Sequence, residues 1–172
     1  NSIVFETLSG DLTVTVEGEL YTLDFPSRMP IPAELPQIIS QSLSIQPKEV
    51  LKSRDYVLVF ESEEDIKNIH INRSIIDQIN LDPGGLIITA KGTNSDFVSR
   101  FFIPQSTHFE DPVTGSAHCS LIPYWAKELN KKNLEAFQLS DRVGHLYCEY
   151  HGNRVKISGQ AKTYSVGHFW ID

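Results

Sequence analysis

The chain has 172 residues, 40% of them hydrophobic, and carries a formal net charge of −7. That length can bury one real core or two smaller ones, and the charge argues against a nucleic-acid or anionic-membrane surface, because either would repel it. No apolar run approaches the ~20 residues that cross a bilayer, and no charged-then-apolar leader opens the chain, so membrane insertion and secretion have no support.

Residues 1–8 read as a strand in progress, and residues 11–16 alternate apolar and polar side chains, the period of a half-buried strand. A turn at Glu17-Gly18-Glu19 and a second strand over 20–25 complete a hairpin. Pro26, Pro30, Pro32 and Pro36 follow closely, stopping the sheet and marking a crossing between substructures at 26–32. Leu35, Ile38, Ile39 and Leu43 have helical spacing and predict a short helix over 33–43. Residues 56–60 form a short buried strand. Ser62 caps a helix whose first turn is acidic, and 73–80 gives another short helix ended by Asp82-Pro83-Gly84-Gly85. Strands are expected at 86–90 and 97–102, a helix at 115–129, and four closing strands near 134–139, 144–150, 154–158 and 162–171. Many strands around few helices make the fold class α+β.

Cys119 and Cys148 lack CxxC spacing and read as free thiols of a reducing, cytoplasmic compartment, although their spacing leaves a disulfide open. Neither GxGxxG nor GxxxxGK[ST] is present, so nucleotide binding has no support. The six histidines lack HExxH or comparable spacing, so no metal and no other cofactor is expected.

One segment carries chemistry: Glu110-Asp111-Pro112-Val113-Thr114-Gly115-Ser116-Ala117-His118-Cys119. It leads from a polar loop into a helix whose first N–H groups come from Thr114, Gly115 and Ser116. Such a helix end has unpaired donors and about half a positive charge, and it binds anions such as carboxylate. Gly115 permits close backbone approach, Ser116 adds a hydroxyl, and Asp111 is a carboxylate placed to exchange protons with a bound molecule. A plain helix cap is the commoner role for such residues. Against it, Thr114 or Ser116 could cap the helix alone, which leaves Glu110 and Asp111 without a structural task. His108 in the loop divides evenly between solvent and site. His118, in the first turn, reads as a packing or hydrogen-bonding residue whose pKa the dipole lowers. Cys119 is expected to face the buried side, and Pro123 to kink the helix.

These residues, with Ser99-Arg100-Phe101-Phe102-x-Pro104 before them and Pro123-Tyr124-Trp125-Ala126, Gln138-x-Ser140-x-Arg142-x-Gly144-x-Leu146 and Asn153 to Ala161 after, resemble the hallmark stretch of the PhzF-like (phenazine biosynthesis-like) isomerases. The resemblance implies the diaminopimelate epimerase fold, in which each of two lobes is a curved, mostly antiparallel sheet wrapped around a central helix. It also implies cofactor-independent proton transfer on a small carboxylate-bearing metabolite. Asp111 and Ser116 match the family's second-lobe acid and hydroxyl contact, and Gly115 its substrate-facing amide; Thr114 and His108 complete the expected substrate-binding set. The family's principal glutamate lies in a first lobe, and the resemblance begins only after that lobe's central helix. Residue 1 is Asn and Met29 is the only methionine, which reads either as a trimmed leader or tag or as a missing upstream lobe. The expectation is therefore a fragment, inactive alone: strands of an incomplete first lobe over 1–25, a second lobe over 26–160, and a last strand over 161–172 returning to the first. A homodimer could form over the surface left uncovered. The competing reading is a non-catalytic module that binds small carboxylates.

Overall fold

The computed structural model describes residues 2–8, 10–168 and 170. Its strands are β1 (Ser2–Thr7), β2 (Gly10–Glu17), β3 (Leu20–Pro26), β4 (Ile31–Pro32), β5 (Glu49–Lys52), β6 (Tyr56–Val59), β7 (Leu86–Lys91), β8 (Phe97–Phe102), β9 (Asn133–Gln138), β10 (Gly144–His151) and β11 (Arg154–Gln160). Its helices are α1 (Gln37–Ser42), α2 (Glu63–Asn68), α3 (Arg73–Ile76) and α4 (Gly115–Glu128). The strands join one mixed sheet in the order β1-β2-β3-β11-β10-β9-β8-β7-β6-β5-β4. All neighbours are antiparallel except β6 with β7 and β8 with β9.

The sheet has a central helix on one face. On β6–β8 alternate side chains serve two cores: Val57, Val59, Ile87, Phe97 and Phe101 pack with α4, while Leu58, Ile88, Val98 and Phe102 pack with Ile39, Ile66 and Ile76 of the short helices. Burial on both faces explains why these strands are mostly apolar without strict alternation. On β9–β11 only one face is buried; Leu134, Ala136, Leu146, Cys148, Val155 and Ile157 join the α4 core. The strands therefore wrap around α4, whose residues Ala117 to Ala126 are all buried. A helix apolar all round is the sequence mark of such a position. By contrast, every residue of β1 is exposed.

Local signals set most boundaries. Ser62 accepts from the Asp65 amide while the Asp65 carboxylate accepts from the Ser62 amide, a full capping box for α2. Pro36 is the N-cap of α1, so the helix expected over 33–43 begins at Gln37; the residue before a proline is pushed away from helical geometry. The helix expected over 73–80 is limited to Arg73–Ile76. The short strands β4 and β5 had no counterpart in the sequence reading. Of the closing strand expected near 162–171, residues 161–168 and 170 have no regular structure, and 169 and 171, like 172, lie outside the described residues.

Pro123 lies inside α4, which continues through it as one helix. Lacking an N–H, Pro123 cannot bond the Cys119 carbonyl one turn earlier. That oxygen instead accepts from the Arg28 amide at 2.8 Å. The proline-rich crossing is thereby fastened to the middle of the central helix.

Candidate active site at the start of the central helix

The β8–α4 connection brings Asp111, Thr114, Gly115 and Ser116 to the amino end of α4. Its path is held at both sides. The Asp111 amide donates to the Phe101 carbonyl at 3.0 Å, and Ser140 Oγ donates to the Pro112 carbonyl at 2.8 Å. Gly144 is required beside it, because a Cβ there would meet a Val113 methyl at 2.5 Å.

The helix is not capped by a side chain. Thr114 is the N-cap residue but makes no capping bond; its hydroxyl donates to Asp111 Oδ2 at 2.6 Å. Gln138 completes this unit, accepting from the Thr114 amide at 2.8 Å and donating to the Asp111 carbonyl at 2.7 Å and to Thr114 Oγ1 at 3.1 Å. Ser116 does not cap either; its oxygen accepts from Arg54 Nη2 at 3.0 Å. The first-turn amides of Gly115 and Ser116 thus keep the positive end of the helix available to an anion.

The two acids do have structural tasks, contrary to the expectation that neither would. Glu110 forms a forked pair with Arg100 at 2.7 and 2.8 Å, and Asp111 accepts from Thr114. The difference lies in exposure to chemistry: Glu110 has both oxygens on a guanidinium, whereas Asp111 Oδ1 has no partner among the described residues, and the side chain is half-buried.

An open groove of about 710 Å³ reaches the helix start, with Val113, Gly115, Gly144, Tyr147 and Gly159 among its walls. Of the expected site residues only Gly115 lines it. Asp111, Thr114 and Ser116 adjoin it along the chain. His108 is exposed in the preceding loop, its amide bonded to Ser106 Oγ at 3.2 Å. That loop is held to α3, with the Gln105 amide donating to Asp77 at 2.7 Å, and among the described residues no hydrogen bond joins His108 to Asp111.

Two site neighbours were missed in the sequence. Arg54 belongs to a strand-edge segment far away in the chain that no local motif marks, and Gln138 falls in a stretch that carries the family resemblance but was not expected at the site. Among the described residues no group of three or more His, Cys, Asp or Glu is placed to hold a metal ion.

His118 is fully buried, with its ring 5.9 Å from that of Phe97. Burial, not the helix dipole, is the main cause that lowers its pKa to about 4, against a weaker opposing bond to the Thr114 carbonyl. It is therefore a neutral packing residue at neutral pH. Its Nε2 and the Oγ of Ser99 are buried without a partner among the described residues. Cys119 and Cys148 are free and buried. Burial pushes both thiols above their ordinary range.

Comparison with known proteins places this geometry in context. The phenazine biosynthesis-like protein family (PhzC-PhzF) matches residues 1–167. A protein described as an uncharacterized isomerase of Pseudomonas aeruginosa is 45% identical over 164 residues, which are 95% of this chain and 62% of that relative. The crystal structure of a PhzF-family phenazine biosynthesis protein from Enterococcus faecalis superposes with a TM-score of 0.87 at 40% identity, over 99% of this chain and 65% of that one. A predicted epimerase of Pseudomonas aeruginosa shares the fold alone, with a TM-score of 0.57 at 14% identity over 96% of this chain and 68% of that one. The chain thus spans about 62% of the length of the curated relative it matches.

Proposed function

The chain belongs to the phenazine biosynthesis-like (PhzC-PhzF) family, and from that premise we propose that its α4 start is one half of an isomerase site that moves a proton on a small carboxylate. The observation that carries the reading is the uncapped helix end beside a carboxylate with a free oxygen. The amides of Gly115 and Ser116 hold the substrate carboxylate, and the hydroxyl of Ser116 adds a donor. Asp111, steered by Thr114 and Gln138, gives or takes the proton. Fixed dipoles at the helix start hold the substrate carboxylate while the proton moves.

An isomerisation also needs an acid/base that takes the proton from one carbon and returns it at another, with Asp111 assisting. The carboxylates of Glu110 and Asp55 are held by Arg100 and Arg54. We assign that role to a carboxylate outside these 172 residues, in keeping with the share of its relatives that the chain spans.

The test uses benzoate as a carboxylate probe and deuterium uptake from D2O as the reaction readout. Benzoate should shift the Gly115 and Ser116 amide resonances in the parent chain and in Asp111→Asn alike. Within a full-length protein carrying this sequence, Asp111→Asn should abolish deuterium exchange into the substrate. A binding module would show the first effect and no exchange in either protein.

A further inference from the structure

Arg54 lies in the β5–β6 turn, 62 residues before its partner on α4, and does more than close an ion pair. Its Nε and Nη2 bond the Asp55 carboxylate at 3.1 to 3.3 Å. Asp55 is 1% exposed and accepts from the Gly85 amide at 2.8 Å. The turn is clamped against Gly84 and Gly85: a Cβ on Gly84 would stand 2.4 Å from the Arg54 carbonyl, and one on Gly85 2.5 Å from the Phe101 ring. The guanidinium is therefore held in one place by buried structure. Its side chain is still 31% exposed.

From that fixed base Nη2 also donates to Ser116 Oγ. An arginine has no acceptor, so the direction of this bond is unambiguous, and the serine proton must point elsewhere. Among the described residues that hydroxyl donates to nothing, and Arg54 Nη1 donates to nothing either. A guanidinium used only to neutralise Asp55 would not need to reach a hydroxyl on the first turn of the central helix.

We propose that Arg54 is a positioning and specificity residue: it locks the Ser116 oxygen as acceptor, turns the hydroxyl proton toward the bound anion, and makes the site select carboxylates over neutral isosteres. The inference rests on the carboxylate site proposed above and deepens it. Arginine suits the role because its rigid fork can hold Asp55 and Ser116 together, which a single ammonium point charge cannot.

Benzoate and its neutral isostere benzamide are the probes, titrated into the 172-residue chain and followed by the Gly115 and Ser116 amide resonances. Arg54→Gln would leave Asp55 buried without a counter-charge and could unfold the protein, so Arg54→Lys and Ser116→Ala carry the test. Arg54→Lys should keep the preference for benzoate, because the charge remains. It should lose about tenfold in affinity, as should Ser116→Ala, because each removes one oriented charge-assisted bond. The double variant should be no weaker than either single one, since both act on one hydroxyl. Parent-like affinity in Arg54→Lys, or losses that simply add, overturns the role of Arg54 and leaves the carboxylate site standing. If benzoate moves neither amide in the parent chain, the carboxylate site itself falls, and this inference with it.

Discussion

The hydroxyl of Thr114 donates a 2.6 Å hydrogen bond to the carboxylate of Asp111. The residue at the head of the central helix therefore orients an acid instead of capping the helix. A side-chain cap contributes about 1 kcal/mol, so leaving the first turn open has a cost that a bound anion would offset. Gln138 holds the same unit from β9, which ties the acid to the sheet as well as to the helix.

Thr114→Val should keep the shape of this unit and remove its hydroxyl. We expect a loss of about 1 kcal/mol in stability by urea unfolding. Gln138→Leu should cost more, about 2–4 kcal/mol, because the Thr114 amide and the Asp111 carbonyl both lose a buried partner. Equal effects from the two substitutions would show that Gln138 is not the anchor of the site.

His118 predicts an acid-sensitive core. The unfolded chain takes up a proton near pH 6.5, while the folded interior refuses it until about pH 4. The unfolded state thus binds more protons in that interval. Stability is complete above the upper value, falls as pH drops through the interval, and loses no more from this group below it. The loss amounts to about 3 kcal/mol at most. Urea midpoints of the parent and His118→Gln, compared at pH 7 and pH 4.5, isolate it: the pH-dependent drop should be smaller in the variant. Parallel curves would remove His118 as the cause.

The two cysteines should be unreactive in the folded protein. Cys119 and Cys148 are 2% and 1% exposed, and burial disfavours the thiolate that reacts. A disulfide-exchange reagent such as DTNB should label both only at the rate of unfolding and count two thiols in denaturant. Fast labelling of the native chain would contradict the packing around α4.

Gly85→Ala tests the clamp beneath Arg54. The added methyl would meet the Phe101 ring at 2.5 Å and the Phe102 carbonyl at 2.8 Å. Overpacking of this kind costs about 1–3 kcal/mol, and here it should also displace the Asp55–Arg54 pair. Thermal unfolding gives the first effect, and weakened benzoate binding at an unchanged fold would give the second.

The elements that were legible in the sequence are those with a short-range cause. Ser62 and Asp65 form their capping box within one turn, and Leu86, Ile87 and Ile88 are consecutive apolar residues because both faces of β7 are buried. The DPVTGSA segment announced the start of α4 for the same reason, being contiguous. The strand expected near 162–171 shows the limit. Tyr164 and Val166 stand either side of Ser165 as in a strand, yet both are exposed. The free edges of the sheet are β1 and β4, and residues 161–168 pair with neither. Periodicity describes a segment's preference and carries no information about which edges remain open.

By itself, then, the sequence determined that an apolar helix begins just after Asp111, because that follows from contiguous residues; the sheet around it entered only through the family resemblance. Only the tertiary structure decided how the helix start is equipped. The partners of Thr114 and Ser116 are Gln138 and Arg54, which lie 24 and 62 residues away. Strand register brings them there, and register is settled by the packing of the whole core around α4, not by any local pattern.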